Sequence, residues 1–535
     1  MGIATAGVGL IYQRFRAEVA TQTLAKLASG PKADPVAWSW LAALILTGLI
    51  LRLIRLDSDL WYDEVATLIE YVRLPFRQLI VTYTSPNNHI LFSVFAKFCT
   101  NLFGESPWAL RLPAVIAGVA SLAALYWFGV KIANPAIALL ATGLVAVSYH
   151  HIWFSQNARG YTGMLLLTLL GTGLFLEGLR KRVPKIWLIY ALVLALAMYT
   201  HLSAVFSFMG HGIIYLGLLA IHRFSARYPT LRSVASPYPG AADFWPLIGF
   251  GFGLLIVLQV YAVMIPQIFY EFASRTVQNS GPSKVADWTN PIWTALEIIK
   301  SLDLSDNSVI ALVFGGILCT AGYLDFLRRI PVVAVLIVLN IPIALLVLVL
   351  INFHIWPRYF FVNIGFAALI IVNGAFVIGA FLEHHFGFAS RFRVTGRQAG
   401  TAITLLVIVA SLSTLPKNYR LPKQDFSGAR DYVEASRDFH DKVVSAGITA
   451  YPYEKLYAPS WHSITTISEL ETEQKNTGHT WLVYSFPTYM KAIHPDLLKY
   501  VEKHFDLKKE FPGSLGDGTI YVWKSRNSAE NHGNY

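Results

Sequence analysis

Eleven stretches of this chain are apolar over close to the 20 or so residues that a helix needs to cross a bilayer. They run over 38–56, 109–130, 134–150, 161–179, 186–201, 203–221, 245–268, 307–324, 331–351, 360–382 and 400–415. Lipid offers the backbone no hydrogen-bond partner, so runs of this kind fold as helices. Composition agrees: 55% of the 535 residues are hydrophobic and 14% are charged, where a soluble domain carries about 25% charged residues. The apolar stretch 186–221 is too long for one span. It is interrupted near Tyr199-Thr200-His201, so it reads as two helices.

The net charge of +11 does not indicate a nucleic-acid partner. Much of the excess Lys and Arg lies in short connectors: Lys131, Arg180 to Lys185, Arg223 to Arg232, Arg328 and Arg329, and Arg391 to Arg397. The opposite connectors, 150–160 and 352–358, hold one Arg each. The positive-inside rule then puts the N-terminus in the cytoplasm and the C-terminus outside. Residues 1–36 read as a cytoplasmic basic arm, not a signal peptide, since Arg14 and Arg16 follow the first apolar residues. Cys99 and Cys319 are far apart, and no CxxC motif is present.

Two segments depart from the spanning pattern. Between 57 and 108, Val65–Val72, Phe76–Tyr83 and Ile90–Phe103 are apolar but interrupted by Glu70, Arg73, Arg77 and Lys97. They read as helices lying in the membrane interface, the last of them preceded by Asn87-Asn88-His89. From Pro416 charged residues become frequent. A helix is expected over 426–440, strands over Val443–Ala450, Trp481–Phe486 and Thr519–Lys524, and a helix over 489–505. The expected fold is therefore a polytopic α-helical membrane protein of about 11 transmembrane helices. It has interfacial helices in the first outer loop and a small C-terminal α/β extracytoplasmic domain. Its divisions are an N-terminal arm 1–36, a transmembrane domain 37–415 and an outer domain 416–535.

This topology gathers four polar clusters on the outer face. They are Asp57–Glu64, His150 to Tyr161, the loop near 269–300, and His354 to Tyr359. The spans carry no Asp, Glu, Lys or Arg in their central parts, whereas ion-coupled transporters place ionisable groups at mid-depth. The chemistry is expected at one surface. Outside the cytoplasm no nucleotide sugar is at hand, so a glycosyl donor would arrive on a lipid phosphate. A carboxylate must then take the acceptor's proton, guanidinium groups must hold the leaving phosphate, and apolar grooves must seat the lipid. Asp63 and Glu64, Arg159 and Arg358, and the interfacial helices offer these parts.

Four stretches then match a family. They are Leu60-Trp61-Tyr62-Asp63-Glu64, Leu102 to Pro113, Ser155-Gln156-Asn157-Ala158-Arg159-Gly160-Tyr161, and Pro357-Arg358-Tyr359-Phe360. In their order and common side the chain resembles the C-type membrane glycosyltransferases of the protein O-mannosyltransferase and aminoarabinose-transferase superfamily (glycosyltransferase family 39-like), over about residues 40–380. The resemblance implies inverting transfer of a hexose or pentose from a polyprenyl-phosphate carrier to an acceptor hydroxyl at the outer face of the plasma (inner) membrane. The acceptor could be a lipid, a glycan or a protein. It implies Asp63 as general base with Glu64 beside it, and Arg159, Tyr161, Arg358 and Tyr359 at the carrier phosphate. Asn88, His89 and Gln156 are expected toward the substrates. No cofactor or metal is required.

Two departures stand out. Asn157 occupies a position that is often acidic in relatives, and Asn87 to Phe92 stand where relatives often have a Pro-Pro-Leu-Tyr run. Other readings remain open at this stage. Asp63-Glu64 could cap a helix, Arg159 and Arg358 could anchor at the interface, and His89 could be a helix cap, a substrate contact or a metal ligand. The whole could be a flippase of lipid-linked saccharides or a non-catalytic assembly subunit.

Overall fold

The computed structural model describes residues 35–224, 233–280, 286–301, 308–386, 394–475 and 478–526. The expected arm lies outside them except for residues 35 and 36, which open the first helix. Arg227, Arg232, Arg391 and Arg393 of the basic connectors also lie outside the described residues. Among the described residues, eight helices are long and apolar enough to cross a membrane, from Pro35–Leu53 to Gly396–Arg420. Two further helix pairs meet the same length and composition only when taken together, and each is bent at a break. Pro135–Ala146 turns by 63° into Tyr149–Ser155, and Trp245–Tyr261 turns by 85° into Ile265–Arg275. The eleventh expected span, Pro184–Thr200, is an apolar helix of 17 residues. The protein is thus a polytopic helical membrane protein. The expected break falls at His201, whose backbone is extended between helices ending at Thr200 and restarting at Ala204.

The first of these bends is supported by a buried side chain. A break frees backbone carbonyls that lipid cannot satisfy. At the 146–149 bend the fully buried Arg52 donates to the carbonyls of Ala146 at 3.0 Å and Gly48 at 2.6 Å, and its Nη2 lies 2.6 Å from His151 Nδ1. Ser106 and Asn134 cap the helices Pro107–Ile132 and Pro135–Ala146 through Ala109 N and Ile137 N, and Pro107 and Pro135 follow as first helical residues. Elsewhere, Ser308–Arg329 and Ile364–Phe386 cross closely where Gly322 faces Gly374. A Cβ at either position would collide with the carbonyl of Ile370 or of Leu318, so small residues set this crossing.

The first loop folds as interfacial helices with changed bounds. Tyr62–Thr67 continues into a wider turn over Leu68–Val72, Phe76–Leu79 is one short turn, and Ile90–Phe103 is regular. Phe95, Phe98, Leu102 and Phe103 are exposed while Ile90, Phe92 and Ala96 are buried, so the last helix is apolar toward protein and lipid alike. Its charged interruptions find partners: Lys97 donates to Val72 O at 2.9 Å and Arg73 pairs with Glu105 at 2.6 Å.

The C-terminal part holds a five-stranded sheet in the order β2-β1-β3-β5-β4. Its strands are β1 Lys442–Ala446, β2 His462–Ile464, β3 Thr480–Tyr484, β4 Phe505–Phe511 and β5 Ile520–Ser525. β1 runs parallel to β2 and β3, while β5 is antiparallel to β3 and β4. β3 is buried along its whole length, as expected for a strand covered on both faces. Phe426, Ala429 and Val433 pack with one face, and Leu497, Leu498 and Val501 with the other. The expected helix 489–505 is two helices, Pro487–Ile493 and Pro495–His504, parted where Pro495 restarts the second. β2, β4 and helix Ile467–Gln474 were not expected.

Gly374→Leu should lower the thermal unfolding midpoint in micelles, corresponding to about 1–3 kcal/mol for overpacking. Gly315→Leu, on the same partner helix with nothing within 4 Å of its added Cβ, should leave the midpoint unchanged.

Candidate active site

Loop 56–61 is held from three directions before it delivers Asp63. Arg111 donates to the carbonyls of Leu56 and Ser58 at 2.8 and 2.7 Å and of Asp59 at 2.7 Å. It also grips Glu64 in a fork, Nε–Oε1 2.8 Å and Nη2–Oε2 2.6 Å, with both residues fully buried. Glu64 accepts further from Ala158 N at 2.6 Å and Trp61 N at 3.3 Å. Burial works to raise the Glu64 carboxyl, but Arg111, Lys423 and these hydrogen bonds outweigh it and hold it below the usual carboxylate range. From the sheet domain, Tyr457 Oη bonds Leu60 N and Leu60 O, Gln424 Oε1 accepts from Tyr62 N, and Ser427 donates to Asp59.

Asp63 opens onto a cavity of about 1670 Å³. Its Oδ2 lies 3.0 Å from Arg358 Nη1 and 3.6 Å from Arg159 Nη1. Three of the four polar clusters thereby meet at one carboxylate, and the fourth supplies Trp288 to the same cavity. Arg159 is poorly satisfied. Its Nε and Nη1 are buried without a hydrogen-bond partner, as is Nε of Arg358. Arg159 Nη2 lies 3.2 Å from His89 Nε2, but His89 Nδ1 accepts from Gly160 N at 2.7 Å. The neutral ring then carries its proton on Nε2, so that approach is donor to donor. Burial, then Arg159, His201 and Arg358, push the His89 ring well below its ordinary range and keep it neutral. Buried guanidinium donors without acceptors beside a carboxylate form a site for an anion.

The remaining expected residues divide. Tyr161 packs edge-on to His89 and 5.0 Å from His201, with the Arg159 guanidinium 5.8 Å from its ring. Tyr359 lines the same cavity. Asn88 lines it too, but its amide is used locally, donating to Thr82 O and accepting from Ser93. His89 is the N-cap residue of the helix Ile90–Phe103, with Ser93 N donating to its carbonyl at 2.9 Å, but its ring makes no capping hydrogen bond. It braces Gly160, where a Cβ would sit 2.7 Å from Thr200 O and 3.1 Å from His89 Cβ. Two expectations fail on geometry. Glu64 does not reach the cavity, because its oxygens are taken by Arg111, Ala158 and Trp61. Gln156 faces away, donating to the carbonyls of Arg52 and Ile54 and accepting from Asn418. Asn157 reaches the cavity instead, with Oδ1 accepting from Trp61 Nε1 at 3.0 Å.

Several site residues were not singled out as functional from sequence. His201 lies against His89 with ring centroids 4.2 Å apart and planes tilted by 54°, and burial pushes it down to about 3. Arg275 reaches the cavity from the bent helix Ile265–Ser280, held by Glu271 at 2.5 Å. Lys423 is buried behind the loop, donating to Gln156 O at 2.5 Å, and burial pushes its amine down to about 7. Among the described residues no group of three or more His, Cys, Asp or Glu side chains could hold a metal ion.

Residues 86–236 match the family model of the dolichyl-phosphate-mannose-protein mannosyltransferases. The resemblance drawn from the motifs is thereby borne out over that segment, which holds Asn88, His89, Arg159 and Tyr161; Asp63 and Arg358 lie outside it. No curated protein gives a significant match to the chain. Among solved structures, the archaeal oligosaccharyltransferase AglB from Archaeoglobus fulgidus, in complex with an inhibitory peptide and a dolichol-phosphate, is similar. The likeness covers 91% of this chain and 74% of that one, at 13% identity and a TM-score of 0.50. ArnT from Cupriavidus metallidurans, bound to undecaprenyl phosphate, aligns over 93% of this chain and 99% of that one, at 11% identity and a TM-score of 0.46. At such identity the AglB likeness is one of fold.

Glu64→Gln leaves Arg111 buried without a counter-charge and should cost about 3–5 kcal/mol of stability. The thermal unfolding midpoint should fall steeply, and Glu64→Leu with Arg111→Met should recover part of the loss.

Proposed function

We propose that the protein is a membrane glycosyltransferase that moves a sugar from a polyprenyl-phosphate carrier to an acceptor hydroxyl. The observation that carries this reading is the meeting of Asp63 with Arg159 and Arg358 at one cavity, with guanidinium donors of both arginines unpartnered. The family segment 86–236 supports it, as does the fold shared with AglB, whose structure holds a dolichol-phosphate.

In this mechanism the carrier phosphate takes the unpartnered donors of Arg159 and Arg358. The cavity wall formed by Leu202, Phe206, Leu348 and Ile364 receives the start of the prenyl chain. Asp63, released from its arginines by the phosphate, accepts the acceptor's hydroxyl proton. The acceptor oxygen bonds to the anomeric carbon on the face opposite the phosphate, and the carbon–oxygen bond to phosphate breaks. The electron pair leaves with the polyprenyl phosphate, whose growing charge the two arginines stabilise. Attack from the opposite face inverts the anomeric centre. Asp63 performs this without a resident metal. This reading puts the protein in the plasma (inner) membrane with the N-terminus cytoplasmic and the cavity and sheet domain outside, an orientation that the basic connectors support.

Asp63→Asn should lower transfer by at least about 10²-fold, the scale of a lost general base. Thermal stabilisation of the purified protein by a polyprenyl phosphate should persist in that variant. Wild-type transfer rates in Asp63→Asn would remove this residue from the mechanism.

A further inference from the structure

Beyond the Asp63 cluster the cavity continues into an aromatic wall. Arg358 lies over the Trp356 ring at 4.9 Å, Trp356 is 4.7 Å from Trp288, and Trp288 lies nearly parallel to Tyr489 at 6.2 Å and 19°. All of these residues line the cavity and are only partly buried. Trp288 is tied to the segment that carries Trp356: Ile355 N donates to Trp288 O at 2.8 Å, and Thr294 Oγ1 to Ile355 O at 2.5 Å. A chain of contacts therefore runs from the carboxylate at Asp63 to ring faces contributed by the sheet domain.

The sheet domain meets the cavity with a particular edge. Ile448 follows β1, Phe486, Thr488 and Tyr489 follow β3, and Asp517 precedes β5. These are the carboxyl ends of the parallel strands, the edge at which open α/β sheets bind ligands. Phe486 and Asp517 both hold left-handed backbones, with φ of 56° and 62°, and are bonded to each other through Phe486 N and Asp517 O at 3.1 Å. Two such residues joined at a cavity wall are a costly arrangement of the kind that collects at binding sites. Among the described residues, the edge strands β2 and β4 do not line the cavity.

We propose that this aromatic wall is an acceptor subsite for a saccharide, whose ring lies on Trp288, Trp356 and Tyr489 with hydroxyls toward Asp517, placing one free hydroxyl at Asp63. The inference rests on the glycosyl-transfer reading and narrows its acceptor. The C–H face of a pyranose carries slight positive charge and docks on the negative face of an aromatic ring, while its rim of hydroxyls needs a carboxylate acceptor such as Asp517. The donor sugar is tied to the phosphate at Arg159, whereas the acceptor approaches from the sheet domain, which supplies Tyr489 and Asp517.

The test uses the full chain in lipid nanodiscs, titrated with linear hexose and pentose trisaccharides and, separately, with a Ser/Thr-rich peptide and a polyprenyl phosphate. Tryptophan fluorescence and thermal stabilisation are followed. At least one trisaccharide should bind saturably. Tyr489→Ala should raise the dissociation constant of that trisaccharide by about tenfold, Tyr489→Phe should restore it, and stabilisation by the polyprenyl phosphate should not change. Thermal unfolding of each variant checks that it is folded. Binding of the peptide with no trisaccharide bound overturns the inference, and so does loss of polyprenyl-phosphate stabilisation in Tyr489→Ala. Trisaccharide binding without polyprenyl-phosphate stabilisation in the wild type leaves the saccharide site standing and removes the glycosyl-transfer reading.

Discussion

The buried fork between Glu64 and Arg111 is the contact on which the site depends. One guanidinium satisfies a carboxylate and three loop carbonyls at once. Removing either partner would strand a charge in an apolar setting, so loop 56–64 has a single acceptable path. Because Glu64 is held inward, Asp63 is turned outward, since successive helical residues do not share a face. The same carboxylate accepts from Ala158 N, which fixes the neighbouring Arg159 relative to Asp63. One ion pair thereby sets the geometry between the proposed base and the proposed phosphate ligand.

The sheet domain is part of this arrangement. Its residues Gln424, Ser427 and Tyr457 hold the loop from the outside, and Lys423 holds the backbone of Gln156 beside Arg159. The domain also forms one wall of the cavity. Its position over the loop therefore joins two tasks, keeping Asp63 in place and shaping what can approach it. The arginines at Asp63 add a further economy. In the proposed mechanism the groups that neutralise the carboxylate at rest are those that hold the phosphate during transfer, so carrier binding itself frees the base.

Much of this was legible in the sequence because membrane burial leaves few choices. Apolar length gave the spans, and the interruption at Tyr199 to His201 gave the break. The polar clusters carrying Asp63, Arg159 and Arg358 meet because a charge at the edge of an apolar segment must find water or a counter-charge. What stayed hidden were directions within a motif. Asp63 and Glu64 look equivalent as neighbours, yet one faces the cavity and the other Arg111. Gln156 and Asn157 divide in the same way. Arg111, inside an apolar stretch, did carry a signal, since a guanidinium there requires a carboxylate partner. In the sheet domain, β2 has only three residues, and β4, with Asp506, Lys508, Lys509 and Glu510, lacks the apolar alternation by which a strand is read.

The most direct test of the central claim is a cryo-EM map of the full chain in nanodiscs with a polyprenyl phosphate. The account predicts phosphate density within hydrogen-bond distance of Arg159 and Arg358, with the Asp63 carboxylate detached from both and facing the cavity. Phosphate density away from these arginines, with the Asp63 ion pairs intact, would contradict it.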